Sequence, residues 1–297
     1  MSTLNAGRVA IVTGAGAGIG RSHALALAKS GAAVVVNDVA AAAAQSVVDE
    51  IVAAGAQAAV STDDISTDGG AKALIDAALN TFGDLHILVN NAGILRDKMF
   101  VNMTEQEWDA VIAVHLKGTF GPSRHAALHW REQSKAGKDV DARIINTTSA
   151  SGVFGNVGQS NYGAAKAGIA AFTIILSMEL ERYGVTVNAV APRALTAMTE
   201  NLARYQQIVE AGEGESRSPD HISPVVVWLG SPSSREVTGR VFGITGTEIS
   251  VYEGWRNGPT VNRDGGQWDP AELASVLPDL VKQARPNADM TGEVPKS

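Results

Sequence analysis

The chain of 297 residues contains no cysteine. That absence excludes disulfide staples, thiolate-ligated zinc, iron–sulfur clusters and a cysteine nucleophile. Aromatic residues are scarce, at 5%, so smaller side chains must fill the interior. Positive charge is in deficit: 24 Lys and Arg stand against 31 Asp and Glu, for a net charge of -7. Proteins that chiefly bind nucleic acid usually carry the opposite balance, so no nucleic-acid partner is expected. Long apolar runs are also missing. Ala32–Val36 and Ala167–Leu176 are too short to span a bilayer. The first residues hold no long apolar segment of a secretory signal. A chain without a membrane partner, located in the cytoplasm, is therefore expected.

Small residues are abundant instead. There are 31 glycines, and Ala40–Ala44 is an unbroken alanine run. Such residues let helices lie close against a sheet. Seven short runs rich in β-branched residues recur along the chain: Arg8–Thr13, Ala33–Asn37, Ala58–Ser61, Leu85–Asn90, Arg143–Thr148, Val185–Val190 and Arg240–Thr245. Between them, apolar residues fall at helical spacing, as in Ala24, Leu25, Leu27 and Ala28, or Val47, Val48, Ile51 and Val52. Strand–helix alternation with nearly continuous apolar strands predicts an α/β fold. It is a single doubly wound domain with a seven-stranded parallel sheet and helices on both faces. That domain is expected to cover residues 1–249, with a C-terminal extension over 250–297. In the extension, Asp269, Pro270 and Glu272 form a helix-start signature, which predicts a short helix over Pro270–Val276. From Arg285 onward the chain is polar and expected to fray. Ala194–Pro219 is polar and lacks periodicity, and is expected to be mobile at the edge of the sheet where ligands bind.

Thr13-Gly14-Ala15-Gly16-Ala17-Gly18-Ile19-Gly20 follows the first predicted strand and opens a helix. Glycines there allow a tight turn and a close approach to a pyrophosphate. The helix start, with Ile19 and Gly20, offers free N–H groups and a partial positive charge. Asp38 ends the second strand, 18 residues after Gly20. A carboxylate at that point accepts hydrogen bonds from ribose hydroxyls and repels a 2′-phosphate, and Val39 supplies no compensating cation. The expected cofactor is therefore NAD. Asp64 and Ile65 follow the third strand and either contact adenine or form a solvated turn. Asn90-Asn91-Ala92-Gly93 ends the fourth strand and brings backbone and amide groups toward the cofactor.

Tyr162 and Lys166 are four residues apart, a spacing that puts both on one helix face. Ser149 lies 13 residues before Tyr162, at the end of the fifth strand. A phenol beside a lysine serves as an acid/base near neutrality if a positive neighbour favours the phenolate. Singly, such residues are common surface and cap positions; their order along the chain carries the weight.

Through Gly14, Gly18, Gly20, Asp38, Asn90–Gly93, Ser149, Tyr162, Lys166, and Asn188 before Pro192, the chain resembles the short-chain dehydrogenase/reductase family from about Arg8 to Thr245. The resemblance implies a Rossmann-type domain and hydride transfer between NAD(P) and an alcohol or carbonyl. It implies Tyr162 as proton donor and acceptor. Lys166 would hold the nicotinamide ribose and lower the tyrosine pKa, and Ser149 would position the substrate oxygen. Pro192 and Thr196 would lie at the nicotinamide end.

The chain departs from the family pattern twice. His115 stands where many members carry a relay asparagine, and Arg193 follows Pro192 where glycine is usual. Arg193 either binds an anion or faces solvent. Asn91–Lys98, Val114–Gly118 and Ser149–Gln159 are similar to the (3R)-hydroxyacyl-CoA dehydrogenase group, which also carries the histidine. The expected substrate is thus a small molecule, an acyl-CoA alcohol or a steroid-like alcohol. Arg96 and Lys98 are either CoA phosphate partners or plain surface charges. A silent NAD-binding sensor is the third alternative. A homodimer or homotetramer is implied, paired through helices over Glu105–Arg131 and Asn161–Tyr183. Trp255 and Trp268 either bury against a neighbour or fold over the pocket. No metal is expected, since the His125 and His129 pair lacks a third ligand in sequence.

Overall fold

The structure, a computed structural model, describes residues 3–194 and 218–294. Strands β1 (Val9–Thr13), β2 (Ala33–Asn37) and β3 (Ala58–Ser61) alternate with helices α1 (Gly18–Lys29), α2 (Ala41–Ala53) and α3 (Asp68–Phe82). Next come β4 (Ile87–Asn90), α4 (Glu105–Ile112), α5 (Gly118–Lys135) and β5 (Ala142–Thr147). The chain continues through α6 (Ala150–Phe154), α7 (Ser160–Leu180) and β6 (Val185–Pro192). A helix over Ser223–Gly230 leads to β7 (Val241–Thr245) and β8 (Glu248–Tyr252).

The sheet order is β3-β2-β1-β4-β5-β6-β7-β8. After β1 the chain builds outward to β3, then crosses back to place β4 on the other side of β1. A crevice must open at the carboxyl ends of β1 and β4, where the winding reverses. Both faces of the sheet are covered, because side chains alternate across each strand. Ala10 and Val12 of β1 join Val34, Val36, Ile87 and Val89 beneath α1, α2 and the 223–230 helix. Val9 and Ile11 turn the other way and join Leu74, Leu88, Trp130 and Ile144.

The predicted count of seven parallel strands is corrected to eight. The eighth, β8, runs antiparallel to β7, with Thr245 opposite Glu248. Gly246, at φ +55°, opens the two-residue turn between them. β8 escaped the sequence pattern because it is an edge strand with weak alternation; Ile249 and Val251 are exposed. The tail helix was also set too short. It spans Pro270–Gln283, with the expected Asp269–Glu272 capping box. It runs through Pro278, where the ring forfeits one backbone hydrogen bond on an exposed helix.

Helix α7 and the turn after it are long and apolar enough to resemble a membrane span. Here Ala165, Ile169, Thr173, Ser177 and Leu180 bury one stripe of the helix. Ala164, Ala167 and Ala171 lie on its exposed side. Phe120 of α5 and Ile174, Ile175 and Met178 of α7 are exposed apolar side chains on the helices where self-association was expected.

At the opposite end of the sheet, Asp141 is shared by two buried arginines. Its Oδ2 accepts from Arg8 at 2.7 Å and its Oδ1 from Arg143 at 2.6 Å. Arg143 is 1% exposed, so loss of the carboxylate strands two desolvated cations. Asp141→Asn should lower stability by about 2–4 kcal/mol, read as a drop in the denaturant midpoint. The distant crevice should keep its ligand affinity at low temperature.

Candidate active site

The glycine loop leaves β1 at the floor of the crevice. Gly14 (φ +61°) and Gly18 (φ +54°) take backbone conformations that other residues rarely adopt. A Cβ on Gly14 would lie 2.7 Å from Ala92 Cα, and one on Gly20 would lie 2.1 Å from the Gly14 carbonyl oxygen. The glycines are therefore needed for close backbone approach. Helix α1 begins without a side-chain cap and without an acid in its first turn. Its first amides are left for a ligand, and the helix dipole favours an anion there.

Asp38 sits at the end of β2, beside this loop. Its Oδ2 accepts the Gly16 N–H at 3.0 Å and its Oδ1 the Ala40 N–H at 2.9 Å. The carboxylate is thereby fixed in direction and keeps lone pairs for hydroxyl donors. At the end of β4, the Asn91 side chain donates to the carbonyls of Thr13 (3.0 Å) and Gly14 (3.2 Å). The Thr13 hydroxyl accepts the N–H groups of Asn91 (3.0 Å) and Ala92 (3.1 Å). An ungapped cradle, free helix amides and an oriented carboxylate fit a dinucleotide.

Asp64 is exposed, and its Oδ1 accepts the Ser66 N–H at 2.9 Å, so its side chain closes its own turn. Ile65 is buried in the core, which leaves only its backbone to offer. Pro192 closes β6 opposite Ile244. Thr196 lies outside the described residues. Arg193 takes neither expected course, because its guanidinium donates to the carbonyl of Met290 in the tail.

The three expected catalytic side chains converge at the carboxyl ends of β5 and β6. Ser149 caps α6, its Oγ accepting the Ser151 N–H at 3.2 Å. Tyr162 lies in the first turn of α7, and Lys166 one turn later. The Lys166 ammonium is 5.6 Å from the centre of the Tyr162 ring and donates to the Thr147 carbonyl at 2.6 Å. His115 stands edge-on to Tyr162, 5.2 Å between ring centres. It belongs to a widened, π-helical turn over Ala113–Lys117 between α4 and α5. Its Nε2 lies 2.8 Å from the Ile94 carbonyl oxygen and 3.0 Å from the Ile94 amide. Its Nδ1 is buried without a partner among the described residues. A Cβ on Gly93 would collide with the imidazole at 2.3 Å, so this ring also requires that glycine.

The titration of this group differs from expectation. Burial pushes the Tyr162 phenol up to about 12, against the pull of its hydrogen bond with Ser149 and with help from the negative Asp97. Burial brings Lys166 down to about 7. The expected lowering of the tyrosine by Lys166 is absent from the chain alone. The ammonium points at a carbonyl rather than at the phenol oxygen, and a dry site disfavours both charges. His115 is lowered to about 3, chiefly by burial and further by Lys166.

Polar groups whose partners the sequence left open connect these parts. Asn90 donates to Asn146 Oδ1 at 2.9 Å, and Asn146 donates to the Thr173 hydroxyl at 2.9 Å. Gln159 joins Asp97 to Ser151. Asn90 and Gln159 sit within motifs visible in the sequence, but a long-range side-chain bond leaves no local periodic signal. His125 and His129 contact Asp68 and Asp84 separately. No group of three metal-ligating side chains occurs among the described residues.

The short chain dehydrogenase family profile matches residues 8–207. The chain belongs to that family. Hydroxyacyl-CoA dehydrogenase ChsB1 of Mycobacterium tuberculosis is 48% identical, over 92% of this chain and 88% of that protein. The peroxisomal multifunctional enzyme type 2 of Mus musculus is 40% identical over 78% of this chain, but the match spans only 31% of that longer protein. A crystal structure of a short chain dehydrogenase from Mycobacterium avium matches with a TM-score of 0.89 and 53% identity, over 96% of this chain and 98% of that one. This short chain dehydrogenase is thus an oxidoreductase acting on CH–OH groups, related to hydroxyacyl-CoA dehydrogenases. Enzymes of the family typically use NAD(P).

Two outcomes test the geometry. Gly20→Ala should weaken dinucleotide binding by at least about 10-fold, measured by fluorescence titration, because the new methyl displaces Asn91 and the Gly14 carbonyl. The second concerns acid stability. His115 falls from 6.5 unfolded to about 3 folded. Its contribution is therefore complete above 6.5 and is lost as pH falls through that window. His115→Asn should flatten the acid-side decline of the denaturant midpoint relative to the parent.

Proposed function

We propose that this oxidoreductase uses NAD to oxidise the secondary alcohol of a (3R)-3-hydroxyacyl-CoA, or reduces the matching ketone in reverse. The observation that carries the chemistry is the meeting of Ser149, Tyr162 and Lys166 beside the glycine cradle. The preference for NAD rests on Asp38. Its carboxylate is held at the cradle by two backbone amides, suits free ribose hydroxyls and would repel a 2′-phosphate. The acyl-CoA substrate rests on kinship with a mycobacterial protein named as a hydroxyacyl-CoA dehydrogenase.

The glycine loop and Asp38 would hold the dinucleotide, which would supply the hydride acceptor or donor for the carbinol carbon. The protein's own residues manage the oxygen and its proton. Ser149 orients the substrate oxygen by hydrogen bonding. Tyr162 takes the hydroxyl proton on oxidation and returns it on reduction. Lys166, fixed by its bond to Thr147, would hold the nicotinamide ribose and help favour the phenolate once the cofactor is in place. The pKa of about 12 matches a phenol at rest in its protonated, proton-donating form. Exposed Arg96 and Lys98, just past Gly93, are suited to anionic phosphates of a long substrate.

Activity confined to free hydroxysteroids is the competing substrate reading. A screen of acyl-CoA, steroid and simple alcohols, followed by NADH absorbance, separates the two. Turnover of 3-hydroxyacyl-CoA with NAD and little with NADP is expected; turnover of free steroids alone overturns the substrate assignment. Tyr162→Phe should lose roughly 10²–10⁴-fold in kcat yet keep dinucleotide affinity. Undiminished turnover in that variant would exclude the tyrosine mechanism.

A further inference from the structure

Asp97 is the charge near the reacting groups that the mechanism leaves unused. It lies in the segment after β4, with exposed Arg96 and Lys98 on either side. Its Oδ2 accepts the Gln159 amide at 2.7 Å, while Oδ1 is buried with no partner among the described residues. A carboxylate with one buried, unpaired oxygen is expensive to keep, so its surroundings call for an explanation.

Gln159 immediately precedes α7, the helix of Tyr162 and Lys166. Its Oε1 accepts the Ser151 hydroxyl at 2.8 Å and the Asn156 amide at 2.9 Å. Its backbone carbonyl accepts the Gly163 N–H at 2.7 Å. The backbone of Lys98 bonds Gly158 at 2.9 Å and locks the two segments side by side. Ser151 in turn donates its N–H to Ser149 Oγ at 3.2 Å, and the Ser149 hydroxyl is close enough to the phenol to pull its pKa down. A run of hydrogen bonds therefore links Asp97 through Gln159 and Ser151 to Ser149, next to Tyr162; Ser151 bonds Gln159 with its hydroxyl and Ser149 with its backbone N–H. It joins the segment after β4, the start of α6 and the start of α7.

We propose that Asp97, acting through Gln159, is a positioning residue that aims Ser149 and sets the pH at which Tyr162 exchanges its proton. The inference rests on the assignment of Tyr162 as the proton-exchanging group. The run fixes the position of Ser151 and, through its N–H, the direction of the Ser149 hydroxyl. An anion at the far end adds to this by opposing a second negative charge on the phenol. The other titratable groups facing Tyr162 are Lys166 on its own helix and His115 on the widened turn. The imidazole remains neutral across the working range. Asp97 is thus the one fixed negative charge among the described groups around the phenol.

Asp97→Asn separates charge from geometry, because the amide oxygen still accepts from Gln159. Its pH profile of kcat/KM for alcohol oxidation should move to lower pH by about 0.5–1 unit, with the plateau value changed less than about 3-fold. In the protein without cofactor, the Cζ resonance of labelled Tyr162, assigned with Tyr162→Phe, should titrate earlier by a similar amount. Gln159→Leu breaks the chain and should lower kcat about 10-fold or more, with dinucleotide affinity unchanged. Gln159→Glu should restore less than half of that loss, since a second carboxylate repels Asp97. Superposable pH profiles and phenol titrations for Asp97→Asn and the parent would overturn the proposal. So would variants that lower only the denaturant midpoint, which would make the chain purely structural. Full turnover by Tyr162→Phe would instead sink the underlying assignment, a result distinct from either.

Discussion

The close contact between the ends of β1 and β4 governs the rest of the molecule. Parallel strands that diverge at a winding reversal leave backbone amides and carbonyls unpaired, and buried orphans of that kind are costly. Thr13 and Asn91 answer this reciprocally. The hydroxyl of Thr13, last in β1, takes the N–H groups of Asn91 and Ala92 just past β4, and the Asn91 amide satisfies the carbonyls of Thr13 and Gly14. The strands can then approach so closely that no side chain fits at Gly14 or Gly20. The bare start of α1 and the Asp38 carboxylate inherit their positions from that contact.

The same stitching continues across the sheet. Asn90 of β4 reaches Asn146 of β5, and Asn146 reaches Thr173 of α7. The Thr148 hydroxyl holds the Lys166 carbonyl at 2.6 Å, and the Lys166 amine holds Thr147. Each neutral bond is worth only about 1 kcal/mol net. Leaving one partner buried and unpaired costs about 1–3 kcal/mol. These contacts therefore matter less as stabilisation than as a register: α7 has few other ways to dock without stranding polar groups. The register that results puts Lys166 at the end of β5 and Tyr162 beside His115.

Much of this was legible in the residues. The strand ends of β2 and β3 follow directly from apolar runs bounded by small and polar residues. The glycine loop, Asp38, Ser149, Tyr162 and Lys166 were visible because local geometry demands those residue types at those spacings. β8 was not, since an edge strand with one solvated face need not alternate cleanly. The tail helix outran expectation because exposed backbone tolerates the lost bond at Pro278. The widened turn that carries His115 has no local signature. Arg193 could not be placed from sequence, because its partner, the carbonyl of Met290, lies 97 positions away. The rise of the tyrosine in the chain alone was not legible for a related reason. Spacing shows which charges are neighbours but not how much water they lose.

That loss of water explains why the site holds its reactive groups uncharged. A buried ion pair carries a desolvation penalty of several kcal/mol per ion before any ligand arrives. In the chain alone Tyr162 is protonated, His115 is neutral, and Lys166, at about 7, sits at the edge of losing its charge. Burial therefore disfavours a phenolate–ammonium pair in the chain alone. Asp97 is the exception, an anion kept at one end of the hydrogen-bonded chain. Its field disfavours phenolate when nothing offsets it and is outweighed when positive charge enters the crevice. In the chain alone such a site keeps the phenol protonated.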